Sequence, residues 1–340
     1  MSKKGVLLVN LGSPDSPTKK DVKKYLAEFL MDERVIDIPY LSRLLLVKGI
    51  ILRTRPEKSA AAYQKVWWNE GSPLIVLSER LRDKVSPKTD IPVVLAMRYG
   101  NPSIQFGIAE LANKGVTEVL ILPLYPQFAM ATTETILVKV EEVRKKYFPQ
   151  ITIVDFPAFY NKPEYIKVLG DSLKESLNGF KYDHLIFSYH GIPERHIQKS
   201  DITKSHCKID GQCCQNHSEA HKFCYRHQCY ETTRLTVEYL QLKEDSYTTT
   251  FQSRLGKDPW IQPYTDETIE HFAQKGVKKL AIITPAFVSD CLETIEEIGM
   301  EAKESFLENG GESFHRIDCL NDNGAWATVV ADWINQWKIS

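Results

Sequence analysis

Leu185-Ile186-Phe187-Ser188-Tyr189-His190-Gly191-Ile192-Pro193-Glu194-Arg195-His196 is the stretch on which the reading of this chain turns. Its first three residues are an unbroken apolar run, the pattern of a strand buried on both faces. Gly191 and Pro193 then interrupt the backbone, each for its own conformational reason. His190 is therefore expected at the exit of a strand, on a loop. In open α/β sheets ligands bind outside the carboxyl ends of the strands. An imidazole placed there can offer a neutral nitrogen to a metal or move a proton near neutral pH.

Working outward, the same pattern repeats along the chain. Strands are expected at 6–9, 91–97, 119–122 and 151–154, with helices over 22–30, 60–70, 74–85, about 102–113 and 132–146 between them. The pattern then restarts, with strands at 185–189, 247–251, 280–284 and 315–317. Helices are expected over 163–177, 232–242, 266–274, 293–308 and 324–337. Alternating strands and helices argue for parallel sheets. The expected architecture is α/β: two similar doubly wound, Rossmann-like domains with four-stranded parallel sheets and an active-site cleft between them. Residues 1–160 form the N-terminal half and 161–340 the C-terminal half, with a cysteine-rich insertion at about 201–230.

Composition narrows the function. The chain has 340 residues and a formal net charge of −1, which supplies no electrostatic reason to expect nucleic acid as a partner. The run Gly5–Leu11 is too short for a signal peptide and lacks a small-residue cleavage site. No stretch approaches the ~18 apolar residues of a spanning helix, so a cytoplasmic protein is expected. Residues 40–52 are rich in leucine and isoleucine but interrupted by Arg43 and Lys48. They read as a packed core helix, or as an apolar lip that receives a ligand or rests on lipid.

Three groups of residues can carry chemistry. The strand exits bring Asn10 and Ser13, Arg98 and Tyr99, Tyr125 and Gln127, His190, and Gln252 and Ser253 towards the same ends of their sheets. In the second group, Pro285-Ala286-Phe287-Val288-Ser289-Asp290-Cys291-Leu292-Glu293-Thr294 leads into a helix with Glu293 and Glu297 on one face. Like charges four apart cost an isolated helix about 0.2–0.5 kcal/mol. Either the positive end of the helix dipole or a function must offset that cost. Opposite His190, Glu293 would complete one nitrogen and one oxygen ligand for a divalent cation, or a pair of proton acceptors. The third group is Cys207, Cys213, Cys214, Cys224 and Cys229, five of the seven cysteines, with His206, His217, His221 and His227 among them. Four thiolates at such spacing can hold tetrahedral zinc or an iron–sulfur cluster, and spacing alone favours zinc slightly.

Ser-Tyr-His-Gly-Ile-Pro-Glu-Arg at 188–195 resembles a short motif of the ferrochelatases. The same holds for Thr250–Arg254, Pro259-Trp260 with Pro263–Glu267, Pro285–Thr294, Val9–Asp15 and Gly71–Leu74. The resemblance covers nearly the whole chain in the right order. It implies insertion of ferrous iron into protoporphyrin IX to give protoheme, with His190 and Glu293 handling the iron or the pyrrole protons. It also implies Glu297 as a proton relay, and Arg98 and Tyr125 orienting the macrocycle. The alternatives are a chelatase for another tetrapyrrole or metal, coproporphyrin or cobalt, and a non-catalytic tetrapyrrole carrier. Some ferrochelatases carry a 2Fe–2S cluster, which tilts the cysteine segment from zinc towards a cluster on four of its five cysteines, one of the vicinal pair being the expected spare. Animal members carry histidine where this chain has Cys291. For residues 40–52 the family implies a lip over the porphyrin and, in some members, a transient peripheral membrane contact.

Overall fold

The computed structural model describes residues 3–254, 256 and 258–339. Its eight strands form two four-stranded sheets in which every pairing is parallel. Lys4–Asn10 (β1), Val93–Met97 (β2), Glu118–Pro123 (β3) and Thr152–Asp155 (β4) lie in the order β2-β1-β3-β4. His184–His190 (β5), Tyr247–Gln252 (β6), Lys279–Ile283 (β7) and Ser313–Arg316 (β8) lie in the order β6-β5-β7-β8. The expected two parallel sheets with flanking helices are thus present, and with the same topology twice.

That topology places the functional stretch. In each sheet the first strand is central, the second pairs on one side and the third on the other. The order of winding reverses at the carboxyl end of the central strand, which is where open α/β sheets bind ligands. β1 ends there at Asn10 and β5 at His190. The central strands are covered on both faces, so they need continuous apolar runs. Val6–Val9 and Leu185–Phe187 are fully buried. Beside β5, Ile186, Ile269, Leu280, Ile282, Ile298 and Phe306 form one cluster of buried side chains. Each such side chain contributes about 1.5–3 kcal/mol by leaving water.

The chain divides into two compact units. One comprises Met1–Leu124, Met130–Pro157 and Asn321–Ser340, the other Tyr125–Ala129 and Ala158–Leu320. The closing helix, Gly324–Ile339, belongs with the first unit although its sequence position is in the second half. Trp333 packs tilted against Phe156 with ring centroids 5.1 Å apart, and Lys4 Nζ donates to the Trp337 carbonyl at 3.1 Å.

Helix boundaries depart from expectation in three places. Residues 40–66 are one helical run, Tyr40–Leu44, a wide π-turn at Leu45–Ile51, then Leu52–Val66 with Pro56 inside. Arg43, expected to interrupt its apolar face, is buried and caps the preceding loop by donating to the Ile36 and Ile38 carbonyls at 3.0 and 3.1 Å. Tyr40, Leu41, Leu45 and Ile50 are all more than half exposed. Glu194–Ser200 is a short helix that begins directly after Pro193. Helix Tyr225–Leu240 starts seven residues before the expected 232, because Arg226 and Gln228 are buried beside Tyr225 and Cys229 in its first turns and blur the apolar signal. No helix among the described residues is long and apolar enough to cross a membrane.

Candidate active site

The geometry around His190 lies wholly in the second unit and begins with the β5–β6 ladder. His190 pairs in register with Gln252, and the Gly191 N–H donates to the Gln252 carbonyl at 2.7 Å. A Cβ on Gly191 would stand 2.7 Å from that same carbonyl oxygen, so only glycine lets the strands stay this close. Gln252 is 3% exposed and spans two elements. Its Oε1 accepts from Ser188 Oγ at 2.9 Å, and its Nε2 donates to the Glu293 carbonyl at 3.2 Å.

His190 has a defined tautomer. Its Nδ1 is 2.6 Å from the Gly191 carbonyl oxygen. A carbonyl can only accept, so Nδ1 carries the proton and Nε2 carries the lone pair. Burial lowers the His190 pKa below its ordinary value, against the opposing pull of the Glu293 carboxylate. The ring is therefore held neutral, with Nε2 free to bind a proton or a metal. Phe287, from the segment after β7, packs edge-on to it with ring centroids 6.3 Å apart.

Glu293 opens a π-helix, Glu293–Ala302, where an ordinary helix is expected from the sequence. Such i→i+5 turns are rare and concentrate at functional sites. Its entry is fixed by Asp290, which is 3% exposed. Asp290 Oδ1 accepts from Thr294 Oγ1 at 2.7 Å and from Arg316 Nη1 at 2.6 Å. Arg316 in turn lies over Gly299, where an added Cβ would meet its Cδ at 3.1 Å. The Cys291 thiol hydrogen-bonds the Glu293 carboxylate.

Glu297 is the most perturbed carboxyl of the group. Burial pushes its pKa up to about 7; Ser253 lowers it, and the charges of Glu293 and Glu301 add to the rise. The Ser253 hydroxyl is within 2.7 and 2.6 Å of its two carboxylate oxygens. Ser253 reaches that position from a left-handed backbone, φ 66°, strain that the surrounding contacts must sustain. A cavity of about 380 Å³ opens beside Glu297, lined also by Ser253, Arg254, Asp266, Glu270 and Glu301. It reaches neither His190 nor Glu293.

The raised pKa of Glu297 has a consequence for stability. The folded value, about 7, lies above the ordinary glutamate value of 4.5, so the stabilisation from its protonated form is present below 4.5 and is lost as pH rises through 7. Glu297→Gln, which stays neutral, should therefore gain on the wild type by about 2 kcal/mol between pH 5.5 and pH 8.5. Urea melts at the two pH values check this, and a constant difference would contradict it.

Other expected site residues are engaged within the protein. Asn10 is 2% exposed, with Nδ2 donating to Ser78 Oγ at 3.2 Å. Arg98 pairs with Asp32 and donates from Nε to Thr135 Oγ1 at 2.7 Å. Asp32 also accepts from Tyr99 at 3.1 Å and from the Arg34 N–H at 2.8 Å. Tyr125 follows β3 and is buried. Gln252 and Ser253, singled out at the β6 exit as residues that can carry chemistry, spend their polar groups on Ser188, the Glu293 carbonyl and Glu297. Sequence spacing gave no sign of Asp290 or of Cys291 as partners in this arrangement.

The cysteine segment starts on a preorganised turn. Burial pushes the Asp201 carboxyl up, but N–H and hydroxyl donors from Cys207, Thr203 and His206 outweigh it and hold it at about 2. All seven cysteines are free thiols. Cys224 hydrogen-bonds to both Cys207 and Cys214, and Cys214 to Cys213. Cys229 is fully buried within its helix and bonds instead to Tyr225. His206 and His221 both place Nε2 on the Cys213 carbonyl, at 2.7 and 2.9 Å, and His227 stacks on His221 at 3.6 Å. Among the described residues no three His, Cys, Asp or Glu side chains stand in a ready-made coordination shell. The donor chemistry nonetheless suits a thiolate-bound metal. Sulfurs sharing a tetrahedral metal at about 2.3 Å lie roughly 3.8 Å from one another, the range of S–H···S contact.

Two parallel sheets of this topology, with a histidine ending β5 and a carboxylate opening the helix after β7, define a doubly wound α/β protein. SirB from Bacillus subtilis, solved with Fe3+, shares the fold with a TM-score of 0.54 at 12% identity, over 98% of this chain and 95% of that one. The sirohydrochlorin chelatase SirB from Bacillus subtilis subspecies spizizenii, solved with cobalt, gives 0.53 at 11% identity, over 97% and 93%. The Ferrochelatase family matches residues 3–337. A ferrochelatase of Pseudomonas fluorescens (strain SBW25) is 48% identical over 334 residues, covering 97% of each chain. One from Opitutus terrae is 43% identical over 342 residues, covering 99% of this chain and 98% of that one. The chain belongs to the ferrochelatase family, and its reaction is the insertion of ferrous iron into a porphyrin.

Proposed function

We propose that His190 and Glu293 divide the work of iron insertion into protoporphyrin IX. The observation that carries this reading is the fixed His190 tautomer, with a neutral ring within the electrostatic reach of the Glu293 carboxylate. Insertion exchanges one Fe2+ for two pyrrole protons, so the site must take two protons while admitting a dication. Nε2 accepts a pyrrole proton, and Glu293 supplies the negative charge that draws the iron and takes the second proton. Glu297, whose pKa lies near neutrality, then passes protons towards the cavity beside it. Gln252 and Ser253 hold Glu293 and Glu297 rather than the macrocycle, while Arg98 and Tyr125 keep their proposed porphyrin-side roles on the resemblance alone and Asn10 its proposed one on its place at the exit of β1. The test is loss of porphyrin fluorescence when ferrous iron is added anaerobically. Faster turnover of coproporphyrin than of protoporphyrin would overturn the substrate preference.

For the cysteine segment we propose a resident thiolate-bound metal, a 2Fe–2S cluster in preference to zinc. Cys207, Cys213, Cys214 and Cys224 would hold it. The linked thiols support that set, and Cys229, committed to Tyr225 inside its helix, is the fifth and spare cysteine. A cluster there would supply electron-transfer or sensing chemistry. Seven free thiols are in keeping with a reducing cytoplasm.

The exposed Tyr40, Leu41, Leu45 and Ile50, with exposed Lys48, Arg53 and Arg55 nearby, support transient contact with an anionic membrane surface. Leu45→Asp should weaken retention on anionic liposomes about tenfold or more, on the ~1.5–3 kcal/mol a buried leucine contributes. Equal retention of both proteins would contradict it.

A further inference from the structure

The peptide unit between His190 and Gly191 is gripped from both sides. Its N–H donates to the Gln252 carbonyl at 2.7 Å, and its carbonyl, that of His190, accepts the Tyr225 phenol at 2.9 Å. The next carbonyl along, that of Gly191, is the one that holds the imidazole proton on Nδ1. The gripped peptide directly precedes that carbonyl, so its orientation helps place the acceptor that sets which ring nitrogen carries the lone pair. Tyr225 is one of the two groups that fix it.

Tyr225 is 5% exposed and is the first residue of helix Tyr225–Leu240, directly after Cys224. The other residues of that turn face the cysteine loop. Arg226 Nη1 donates to Cys214 Sγ at 3.5 Å, and His227 Nδ1 donates to the Cys214 carbonyl at 2.8 Å. Gln228 Nε2 donates to the His221 and Lys222 carbonyls at 3.0 and 2.9 Å. One helical turn thus holds the thiol loop with three side chains and the catalytic strand exit with a fourth.

We propose that Tyr225 is a positioning residue that couples the cysteine site to His190. A metal gathered by the thiols fixes the first turn of the helix, and the phenol carries that order to the 190–191 peptide. Loss of the metal loosens the turn and frees the peptide, so the cysteine segment governs the readiness of the catalytic imidazole. The coupling rests on the reading of Cys207, Cys213, Cys214 and Cys224 as a metal site.

The experiment uses full-length protein purified anaerobically, with its metal quantified and its visible spectrum recorded, before and after stripping with a chelator and oxidant. Hydrogen exchange is followed by mass spectrometry in wild type and Tyr225→Phe, which keeps the ring. In wild type, stripping should speed exchange over residues 188–192 about fivefold, the size of one lost hydrogen bond, with exchange in β7 unchanged. Metal-loaded Tyr225→Phe should already show that faster exchange, with no further response to stripping. Its kcat for iron insertion should fall about fivefold with an unchanged KM for porphyrin. Metal-loaded protein whose 188–192 exchange ignores stripping, or still responds to it in Tyr225→Phe, overturns the coupling and leaves the metal site standing. Protein with neither cluster colour nor bound zinc on these cysteines overturns both.

Discussion

His190→Ala lowers kcat for iron insertion by about 10²- to 10⁴-fold, the range lost when a positioned proton acceptor is removed. The side chain contributes no bond to the β5–β6 ladder, and its Nδ1–H serves only the Gly191 carbonyl on the next residue, so the variant should stay folded. If Nε2 acts only as the insertion proceeds, kcat and kcat/KM should fall together. The pH profile gives a second check. The active form is the neutral ring, and burial holds the pKa below its ordinary value. Wild-type activity should therefore rise with pH through a midpoint below ~6.5 and then level off with respect to this group. His190→Ala should lack that limb. Steady-state rates across pH 5 to 8 measure both effects.

Glu293→Gln should cost a similar factor, about 10²- to 10⁴-fold, by a different route. Glutamine preserves the shape and the backbone carbonyl that Gln252 holds, but it removes the negative charge beside His190. Two shifts in neighbouring groups should accompany the loss. The Glu293 charge raises the His190 pKa and helps raise that of Glu297, so both should titrate at lower pH in the variant. Should Glu293 serve only to begin the helix, Glu293→Gln would move the titrations and leave the rate in place. The double variant should be scarcely slower than either single one, because groups that act as a unit lose their effect together.

The strands were legible because a sheet covered on both faces needs runs such as Val6–Val9 and Leu185–Phe187, which no other local structure explains as well. His190 was legible for the same reason, since the strand ends where glycine and proline must follow. Glu293 and Glu297 fall on one face in an ordinary helix, so their spacing pointed to a shared role without disclosing the π-turn that carries them. That turn depends on Asp290, Arg316 and Gly299, which meet only in three dimensions. The early start of helix Tyr225–Leu240 was hidden because its buried face is largely polar, with Arg226, Gln228 and three threonines, and hydrophobic periodicity is weak on such a face. Tyr225 lies 35 positions from His190 and left no trace in any local pattern. The cysteine spacing raised the expectation of a metal, which remains a proposal, whereas the separation of Cys229 from the other four emerged only from its burial beside Tyr225.

The most direct measurement is the anaerobic decay of protoporphyrin fluorescence after addition of ferrous iron, followed with wild type and with the His190→Ala, Glu293→Gln double variant. The account predicts rapid loss of fluorescence with the wild type and a decay with the folded double variant that is slower by a factor of at least about 100. A double variant that inserts iron at the wild-type rate would contradict it.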